Sequence, residues 1–318
     1  IWIDTETLHG IGVMTANGAR GYSGNGGAGG RIAVYYSTNS GFNLDSTHLQ
    51  TRGAEGAGAG TVYIEDKIND IAKAGLLIVR NNASNGNNAA LPQAEYSFKL
   101  INLMQNGHLQ VLGQASVLTL TSGAGLSGDN TFPDLTVEGT ILYTGTGALE
   151  INGVDLGVKG DISGVNDIAL GNSQAAGMTL YANTWAHNKD NQYSFGDITV
   201  GSNGTLTLVS YDNGDTNWTN DYGVSLNATN LTVDAGGIIT ANGLGYSRGP
   251  GSGDNGDTER GGSYGGFGAN NLSFTQPYGN VYEPTDLGSG GGIRQAGGYK
   301  GGGAIRLIVS DTLTNDGT

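Results

Sequence analysis

The sequence predicts an all-β protein built as a β-solenoid, in which short strands stack coil upon coil. Three observations favour this fold class. Short runs of alternating apolar and polar residues recur along the chain, helical periodicity is nearly missing, and glycine supplies 59 of the 318 residues while proline supplies only 5. Alternation with a period of two is typical of strands that bury one face, and the low proline content argues against a disordered low-complexity chain.

The predicted strands are rich in Thr, Val, Ile, Leu and Tyr, and they close on Gly, Asn or Asp. The clearest of them cover residues 60–66, 108–113, 116–123, 134–145, 197–210 and 230–243. Residues 66–79, with the sequence DKINDIAKAGLLIV, are the one segment expected to hold a helical turn or two, although its end fits a strand equally well. No long helix is expected between the strands.

Two stretches of the chain repeat one another. Residues 12–23 (GVMTANGARGYS) and 237–249 (GIITANGLGYSRG) share the letters TANG followed by GYS, and each leads through a glycine-rich passage to a strand, at 26–37 and 299–310. A shorter version of the glycine-then-strand step occupies residues 51–66. The repeating unit is therefore strand, tight turn, strand, with loops of variable length.

Units of this kind bury their apolar faces by stacking, which favours one continuous β-solenoid over residues 1–318 with coils of roughly 20–30 residues. Residues 242–303 are predicted to form a long loop inserted into it. A β-sandwich or a barrel is the alternative architecture. Because the chain opens in mid-strand and stops in a turn, we interpret it as a segment of a longer polypeptide.

The repeats resemble the glycine-rich repeats of giant bacterial surface and adhesin-like proteins. The sequences ITANG, GGAGGRIAVYY and GGGAIRLIVS, interleaved with LTV steps, carry this resemblance, which covers residues 1–66 and 230–318 well and residues 67–229 only through weak LTV rungs. The resemblance implies a right-handed parallel β-helix of the pectin-lyase-like type, located outside the cell at a bacterial surface. The family brings no catalytic signature to this chain.

The glycine segments at 17–30 and 242–303 predict close backbone packing rather than nucleotide binding. Residues 24–29 match the dinucleotide fingerprint G-x-G-x-x-G, but they precede a strand, whereas the fingerprint leaves a strand and opens a helix. Glycine is expected where each excursion re-enters the wall, because a Cβ atom would clash with neighbouring backbone there. No organic cofactor is therefore predicted.

A loop of about 60 residues is longer than a connector needs to be, so residues 242–303 are a candidate binding or assembly surface. Aromatic rings on an adaptable backbone are typical of recognition surfaces, and arginines add planar donors for carboxylates. The candidate residues are Tyr246, Arg248, Arg260, Tyr264, Phe267, Phe274, Tyr278, Tyr282, Arg294 and Tyr299. The alternative is that these rings cover a small core of the loop itself.

Acidic clusters offer oxygen ligands of the kind that calcium prefers. Asp212, Asp215 and Asp221 lie in the segment YDNGDTNWTNDYG at 211–223, and SGDNGDTE at 252–259 is a second cluster. Neither cluster has the spacing of an EF-hand. A solvated turn rich in Asp and Asn is the alternative interpretation.

The composition narrows the classes of function. A formal net charge of −14 and a sequence pI of about 4.4 remove any electrostatic reason to bind nucleic acid or an anionic membrane surface. The chain has no cysteine, so disulfides and thiolate metal sites are excluded. No apolar run approaches the roughly 20 residues that span a bilayer.

The sequence therefore predicts a non-enzymatic structural or adhesive segment of an extracellular surface fibre or filament. Its expected partners are sister subunits in a homo-oligomer and a glycan or protein target on cells or surfaces. The alternative is a carbohydrate-binding or polysaccharide-cleaving β-helix, and glycoside cleavage needs two carboxylates in a groove. The carboxylates considered for that chemistry are Asp197, Asp212 and Asp215. The four histidines are scattered along the chain, at His9, His48, His108 and His187.

Overall fold

The structure is a computed structural model that describes residues 1–22, 25–81, 86–131, 134–182, 193–212, 220–246, 262–268, 277–291 and 300–318. These residues form 24 β-strands, most of them in long parallel sheets. The prediction of an all-β chain is confirmed. Within the described ranges, no helix has the length and apolar character needed to cross a membrane.

The strands are numbered in chain order. The first twelve are β1 (Trp2–His9), β2 (Met14–Thr15), β3 (Arg31–Ser40), β4 (Leu49–Gln50), β5 (Thr61–Asp66), β6 (Leu76–Arg80), β7 (Ala89–Leu91), β8 (Glu95–Phe98), β9 (Leu100–Met104), β10 (His108–Val111), β11 (Val117–Leu120) and β12 (Leu126–Gly128). The remaining strands are β13 (Asp134–Val137), β14 (Thr140–Tyr143), β15 (Leu149–Asn152), β16 (Asp155–Val158), β17 (Ile162–Ser163), β18 (Ile168–Leu170), β19 (Ala176–Tyr181), β20 (Tyr193–Val200), β21 (Gly204–Val209), β22 (Val224–Val233), β23 (Ile238–Thr240) and β24 (Ile305–Asn315).

The described chain forms two compact units. Unit 1 contains Ile1–Met178 and Thr199–Gly204, and unit 2 contains Thr179–Ile198 and Thr205–Thr318. Within unit 1 the strands form a main sheet in the order β1-β3-β5-β6-β9-β12-β15-β18, a second sheet β16-β13-β10-β7, a third sheet β17-β14-β11-β8 and the pair β2-β4. Within unit 2, β20, β22 and β24 lie side by side, as do β19, β21 and β23.

From β6 onward, the chain of unit 1 visits the three sheets in turn and then returns to the main sheet one rung further along. Ile101 in β9, Leu126 in β12 and Ile151 in β15 are consecutive register partners, so the coil repeats every 25 residues at this position. All three side chains are buried. This spacing lies within the expected range of roughly 20–30 residues, whereas the next step, from Leu149 in β15 to Ile168 in β18, takes 19 residues.

One antiparallel pair interrupts the parallel order of the main sheet. Strands β1, β3 and β5 are parallel, β5 and β6 are antiparallel with Tyr63 opposite Leu77, and β6 is again parallel to β9. Turns between β5 and β6 reverse the chain, and Lys73 adopts a positive φ of 64° there. The segment 66–79, which allowed either a helical turn or a strand, forms turns followed by strand β6.

Strand β6 packs against apolar residues on both of its faces, which explains the apolar run at 76–79 that precedes Arg80. Successive side chains of a strand point to opposite faces. Ile78 packs with Val34 and Val62 in a core on one face. Leu77 shares the other face with its register partner Ile101, in the apolar row of the later coils. The main sheet of unit 1 therefore carries apolar cores on both sides.

Three glycine-rich segments of unit 1 lie backbone against backbone, namely the described parts of 16–30, 50–60 and 81–88. Hydrogen bonds join neighbouring segments directly; the N–H of Gly29, for example, donates to the carbonyl of Gly58 at 3.0 Å. Buried backbone groups need such partners, and these segments obtain them from each other although they are not strands.

The glycines are required at these contacts because a side chain has no room. A Cβ atom built on Gly60 would stand 1.7 Å from the carbonyl oxygen of Gly30, and one built on Gly29 would stand 1.9 Å from that of Thr51. Both distances fall far inside van der Waals contact. The predicted reason for glycine at the re-entry into the wall is confirmed here.

The TANG repeat makes an equivalent backbone hydrogen bond in each unit. In unit 1 the carbonyl of Ala16 accepts a hydrogen bond of 2.7 Å from the N–H of Gly30, the residue before β3. In unit 2 the carbonyl of the equivalent Ala241 accepts one of 2.9 Å from Gly303, two residues before β24. The alanine of each repeat thus holds the end of a glycine excursion at the point where the next strand begins.

Unit 2 contains the long loop. Its strands β22 and β24 pair in parallel with an irregularity between Ala228 and Asn230, and β21 pairs in parallel with β23. Residues 242–303 leave after β23 and return into β24. The N–H of Gly245 donates to the carbonyl of Gly301 at 2.9 Å, so the excursion begins and ends at one place.

We expect Gly60→Ala to destabilise the protein, because the new Cβ atom meets the Gly30 carbonyl and the backbone has to move. The free energy of unfolding should fall by about 1–3 kcal/mol, measured by chemical denaturation followed by circular dichroism. Gly12→Ala is the control, since a Cβ atom at Gly12 meets nothing within 4 Å, and it should stay within about 0.5 kcal/mol of the wild type. Equal effects of the two substitutions would contradict this account of glycine packing.

Candidate functional site

The predicted binding loop of unit 2 begins with a buried tyrosine. Tyr246 is 2% exposed and packs with Leu287 and Ala304. Its hydroxyl donates a hydrogen bond of 3.0 Å to the Asp221 carboxylate. Burial, followed by the negative charge of Asp221, raises the pKa of Tyr246. Tyr246 therefore anchors the loop instead of presenting its ring to a ligand.

Two further aromatic residues of the loop contact each other. The rings of Tyr264 and Tyr278 meet edge to face with centroids 5.1 Å apart, and the N–H of Tyr278 donates to the Tyr264 carbonyl at 2.8 Å. The Tyr278 hydroxyl donates to the carbonyl of Leu287 and lies 3.0 Å from Ser289 Oγ. These contacts agree with the alternative in which rings cover a small core of the loop.

Other candidate residues of the loop face solvent. Phe267 is 47% exposed and Tyr282 is 91% exposed, and Val281 beside Tyr282 is 86% exposed. We call the last two residues the Val281–Tyr282 patch. The remaining candidates lie outside the described residues: Arg248, Arg260, Phe274, Arg294 and Tyr299. A binding or assembly role for the loop stays a prediction, and this patch is its most exposed apolar part among the described residues.

The acidic segment predicted to bind calcium is described only in part. Asp221 is buried and Asp212 is exposed, while Asp215 and the second cluster at 252–259 lie outside the described residues. Within the described ranges, no group of three or more His, Cys, Asp or Glu side chains is arranged to hold a metal ion. Calcium binding at Asp212, Asp215 and Asp221 stays a prediction.

A groove of about 490 Å³ lies in unit 2 beside the Val281–Tyr282 patch. Asp221, Glu283 and Asp286 contribute carboxylates to its lining, and Arg306 contributes a guanidinium. The ring of Tyr282 borders the same groove. The exposed patch and this acidic groove therefore form one continuous surface.

A larger groove, of about 740 Å³, lies in unit 1, where the sequence indicated no site. We call it the aromatic groove. It lies where the second and third sheets end, at β7 and β8, while the main sheet continues to β5, β3 and β1. Its polar and aromatic lining includes Arg31, Tyr35, Tyr63, Lys73, Gln93, Glu95, Tyr96 and Phe98.

Aromatic rings follow one another along this groove and beyond its lining to Trp2, which contacts Tyr35. The ring centroids of Trp2 and Tyr35 are 6.5 Å apart, those of Tyr35 and Tyr63 are 5.5 Å apart, and those of Tyr63 and Phe98 are 6.1 Å apart. Phe98 stacks with Tyr96 at 6.2 Å and an interplanar angle of 15°. The parallel register of β1, β3 and β5 places the first three rings on one face of the main sheet.

Tyr63 is held in place by a buried hydrogen-bond network. Its hydroxyl accepts a hydrogen bond of 2.9 Å from the N–H of Gly75 and donates one of 2.5 Å to the Glu65 carboxylate. The same carboxylate oxygen accepts the N–H of Lys73 at 2.9 Å, and Glu65 is 6% exposed. Burial, followed by the hydrogen bond to Glu65, raises the pKa of Tyr63. The network fixes both the ring and the turn that reverses the chain.

On one side of the groove, β7 and β8 are the edge strands of the second and third sheets, and a side chain occupies a backbone group of β7. The guanidinium of Arg31 donates to the carbonyl of Ala90 in β7 at 2.8 Å. The N–H of Gln93 donates to the hydroxyl of Tyr96 at 2.7 Å, and Pro92 has no N–H. Edge strands protected in this way are poor templates for an added strand.

The described residues considered for catalysis are not part of the lining of either groove: His9, His48, His108, Asp197 and Asp212. Asp197 instead accepts a hydrogen bond of 2.7 Å from Asn230. His187 and Asp215 lie outside the described residues. The polysaccharide-cleaving alternative stays a hypothesis.

The aromatic groove was missed in the sequence because its rings come from separate strands that share no motif. One signal could have found part of it. Tyr35 and Tyr63 alternate with buried aliphatic residues in their strands. The aliphatic residues of these strands bury one face of the sheet, so the tyrosines lie on the opposite face. Aromatic rings on that second face indicate a further contact or binding surface there.

The fold defines an all-β protein with long parallel sheets and glycine-rich excursions. Comparison of the chain with protein-family models, with curated proteins and with solved structures gives no match.

We expect Tyr246→Phe to lower the free energy of unfolding by about 1–3 kcal/mol, because the buried Asp221 carboxylate loses a hydrogen-bond donor. Chemical denaturation measures this change. Tyr282→Phe is the matched control, since Tyr282 is 91% exposed, and it should change stability by less than about 0.5 kcal/mol.

The pH dependence of the same variant is a second measurement. Because the pKa of Tyr246 is raised in the folded protein, its contribution to stability is complete well below a pH of about 10, the pKa at which a free tyrosine is half-ionised. Above that pH the unfolded chain loses a proton that the folded chain keeps, so the free energy of unfolding falls. Tyr246→Phe should show a shallower fall than the wild type, and identical slopes would contradict the buried hydrogen bond.

Proposed function

We propose that this chain is a structural and adhesive segment of an extracellular surface fibre, built as a right-handed parallel β-helix. The observation that carries the proposal is the series of in-register parallel strands in unit 1, which follow one another in the main sheet at spacings of 24, 25, 25 and 19 residues from β6 to β18. In such a stack, each coil satisfies the backbone hydrogen bonds of the next. A force along the stack therefore acts on many main-chain hydrogen bonds at once.

Rows of like side chains support the same proposal. Leu109, Leu135 and Leu156 are register partners on three successive strands of the second sheet, and all three are buried. Leu118 and Ile141 form an equivalent buried pair in the third sheet. Each coil thus covers the apolar residues of its neighbour, which is how repeat proteins extend by addition of further coils.

The proposed location follows from the resemblance of the repeats to those of bacterial surface and adhesin-like proteins. A strongly acidic chain without cysteine suits a secreted surface protein, because the charge of −14 keeps copies soluble until a specific contact forms. We assign the chain no catalytic role and place its function in assembly and attachment at the cell surface.

The Val281–Tyr282 patch is the proposed contact with a sister subunit. Two adjacent apolar side chains, 86% and 91% exposed, border a groove lined by Glu283 and Arg306. Apolar patches rimmed by polar groups are typical of protein interfaces. A homo-oligomeric contact would bury both side chains and use the charged groove to orient the partner.

We expect the double substitution Val281→Asp and Tyr282→Asp to weaken self-association of the chain by at least about tenfold in dissociation constant, because it places two charges in the contact. Sedimentation velocity over a range of protein concentrations measures this. Ile68→Asp with Ile71→Asp is the matched control, since these two side chains are 69% and 68% exposed elsewhere.

The control variant should associate as the wild type does. A wild-type chain that stays monomeric at all concentrations would contradict the proposed assembly. Equal weakening by both double substitutions would contradict the assignment of the contact to this patch, because it would show a general effect of added negative charge.

A further inference from the structure

We propose that the aromatic groove of unit 1 binds a glycan, specifically a chain of pyranose sugars that lies along Tyr35 and Tyr63 and reaches Trp2 beside the groove. This site is separate from the Val281–Tyr282 patch, and its role does not depend on assembly of the chain. It would give the fibre segment a means of attachment that acts through unit 1 alone.

The arrangement of rings fits a sugar chain. A pyranose ring presents C–H groups on its faces and hydroxyl groups around its edge, and it therefore packs well on an aromatic face with polar groups beside it. Trp2 is 73% exposed, and Tyr35 and Tyr63 are half-buried. Their centroids follow one another at 6.5 and 5.5 Å. Three neighbouring rings, inclined to one another by 73° and 55°, offer several separate stacking positions, which suits an oligosaccharide better than a single sugar.

Polar side chains beside the rings supply the hydrogen bonds that hydroxyl groups require. Arg31 and Lys73 are donors, Glu95 is an acceptor, and Gln93 can serve as both. The bond to Ala90 uses one of the five N–H donors of the Arg31 guanidinium. A ligand site of this kind needs only a few polar groups to fix the orientation of the ligand.

The groove is ordered before any ligand arrives. The ring of Tyr63 is fixed by hydrogen bonds from Gly75 and to Glu65, and Tyr96 is fixed by the N–H of Gln93. Rings that are already immobile lose little conformational entropy on binding. Because this entropy cost is small, a ligand can bind the groove through few contacts.

Two other classes of ligand fit the groove less well. A peptide that added a strand would need the backbone groups of β7 and β8, and Arg31 already engages the carbonyl of Ala90 in β7. A nucleic acid would meet a chain of net charge −14, whereas phosphate contacts need clustered cations. A glycan needs neither open strand edges nor a basic surface.

Isothermal titration calorimetry of the whole chain tests the proposal with three hexasaccharides: a β-1,4-linked glucan, a β-1,4-linked N-acetylglucosamine oligomer and a β-1,4-linked uronic-acid oligomer. We expect saturable binding of at least one of them. Tyr35→Ala should weaken that binding by at least about tenfold, while Tyr35→Phe, which keeps the ring, should stay within about threefold of the wild type. Tyr282→Ala is the control in unit 2 and should leave binding unchanged.

The absence of binding by all three hexasaccharides at millimolar concentration would overturn the proposal. Equal losses for Tyr35→Ala and Tyr35→Phe would overturn it too, because ring stacking would then not be the source of affinity. If thermal unfolding shows that Tyr35→Ala does not fold, Trp2→Ala takes its place with the same expectation, since Trp2 is 73% exposed. The variant with aspartate at positions 281 and 282 should still bind sugar, so failure of assembly and failure of glycan binding are distinguishable.

Discussion

Unit 1 depends on strand β6, which contributes one face to each of two apolar cores. Ile78 lies in the core formed with β3 and β5. Leu77 and Val79 point to the opposite face, with the apolar row of the later coils, and both are buried. Full burial of an aliphatic side chain stabilises a protein by about 1.5–3 kcal/mol, so this short strand stabilises both cores at once. Its apolar residues therefore cannot be exchanged for polar ones on either face.

The aromatic groove follows from the reversal of chain direction at β5 and β6. Beyond β6, the main sheet continues through β5, β3 and β1, whereas the second sheet ends at β7 and the third sheet ends at β8. The sheet face that carries the buried residues Leu77 and Ile101 is thus partly exposed at Tyr63 and Tyr35. The buried carboxylate of Glu65 holds the turn at Lys73 together with the Tyr63 ring. The same few contacts therefore fix the topology and shape the surface on which we propose a sugar chain lies.

The close packing of the glycine-rich segments could be predicted from the sequence, because it depends on local sterics. The TANG repeats and the glycines before each strand predict close backbone packing, and Ala16 and Ala241 indeed hold equivalent excursions. The reversal could not be predicted, since Lys73 takes a left-handed conformation with no glycine to signal it. The burial of the aromatic residues in the loop could not be predicted from the sequence either. Tyr246 is buried and Tyr282 is exposed, yet both are tyrosines in glycine-rich surroundings, and only tertiary packing separates them.

The antiparallel pairing of β5 and β6 is the central claim, and disulfide cross-linking tests it most directly. The chain has no cysteine of its own, so a pair introduced by Val62→Cys and Ile78→Cys can form only one intramolecular disulfide. Val62 and Ile78 are opposite each other in the antiparallel register, within the reach of a disulfide. Val62→Cys with Leu76→Cys is two residues out of register and should not form one. The account predicts that mild oxidation closes the first pair alone, as read by mass spectrometry of the digested protein; closure of the second pair in preference to the first would contradict it.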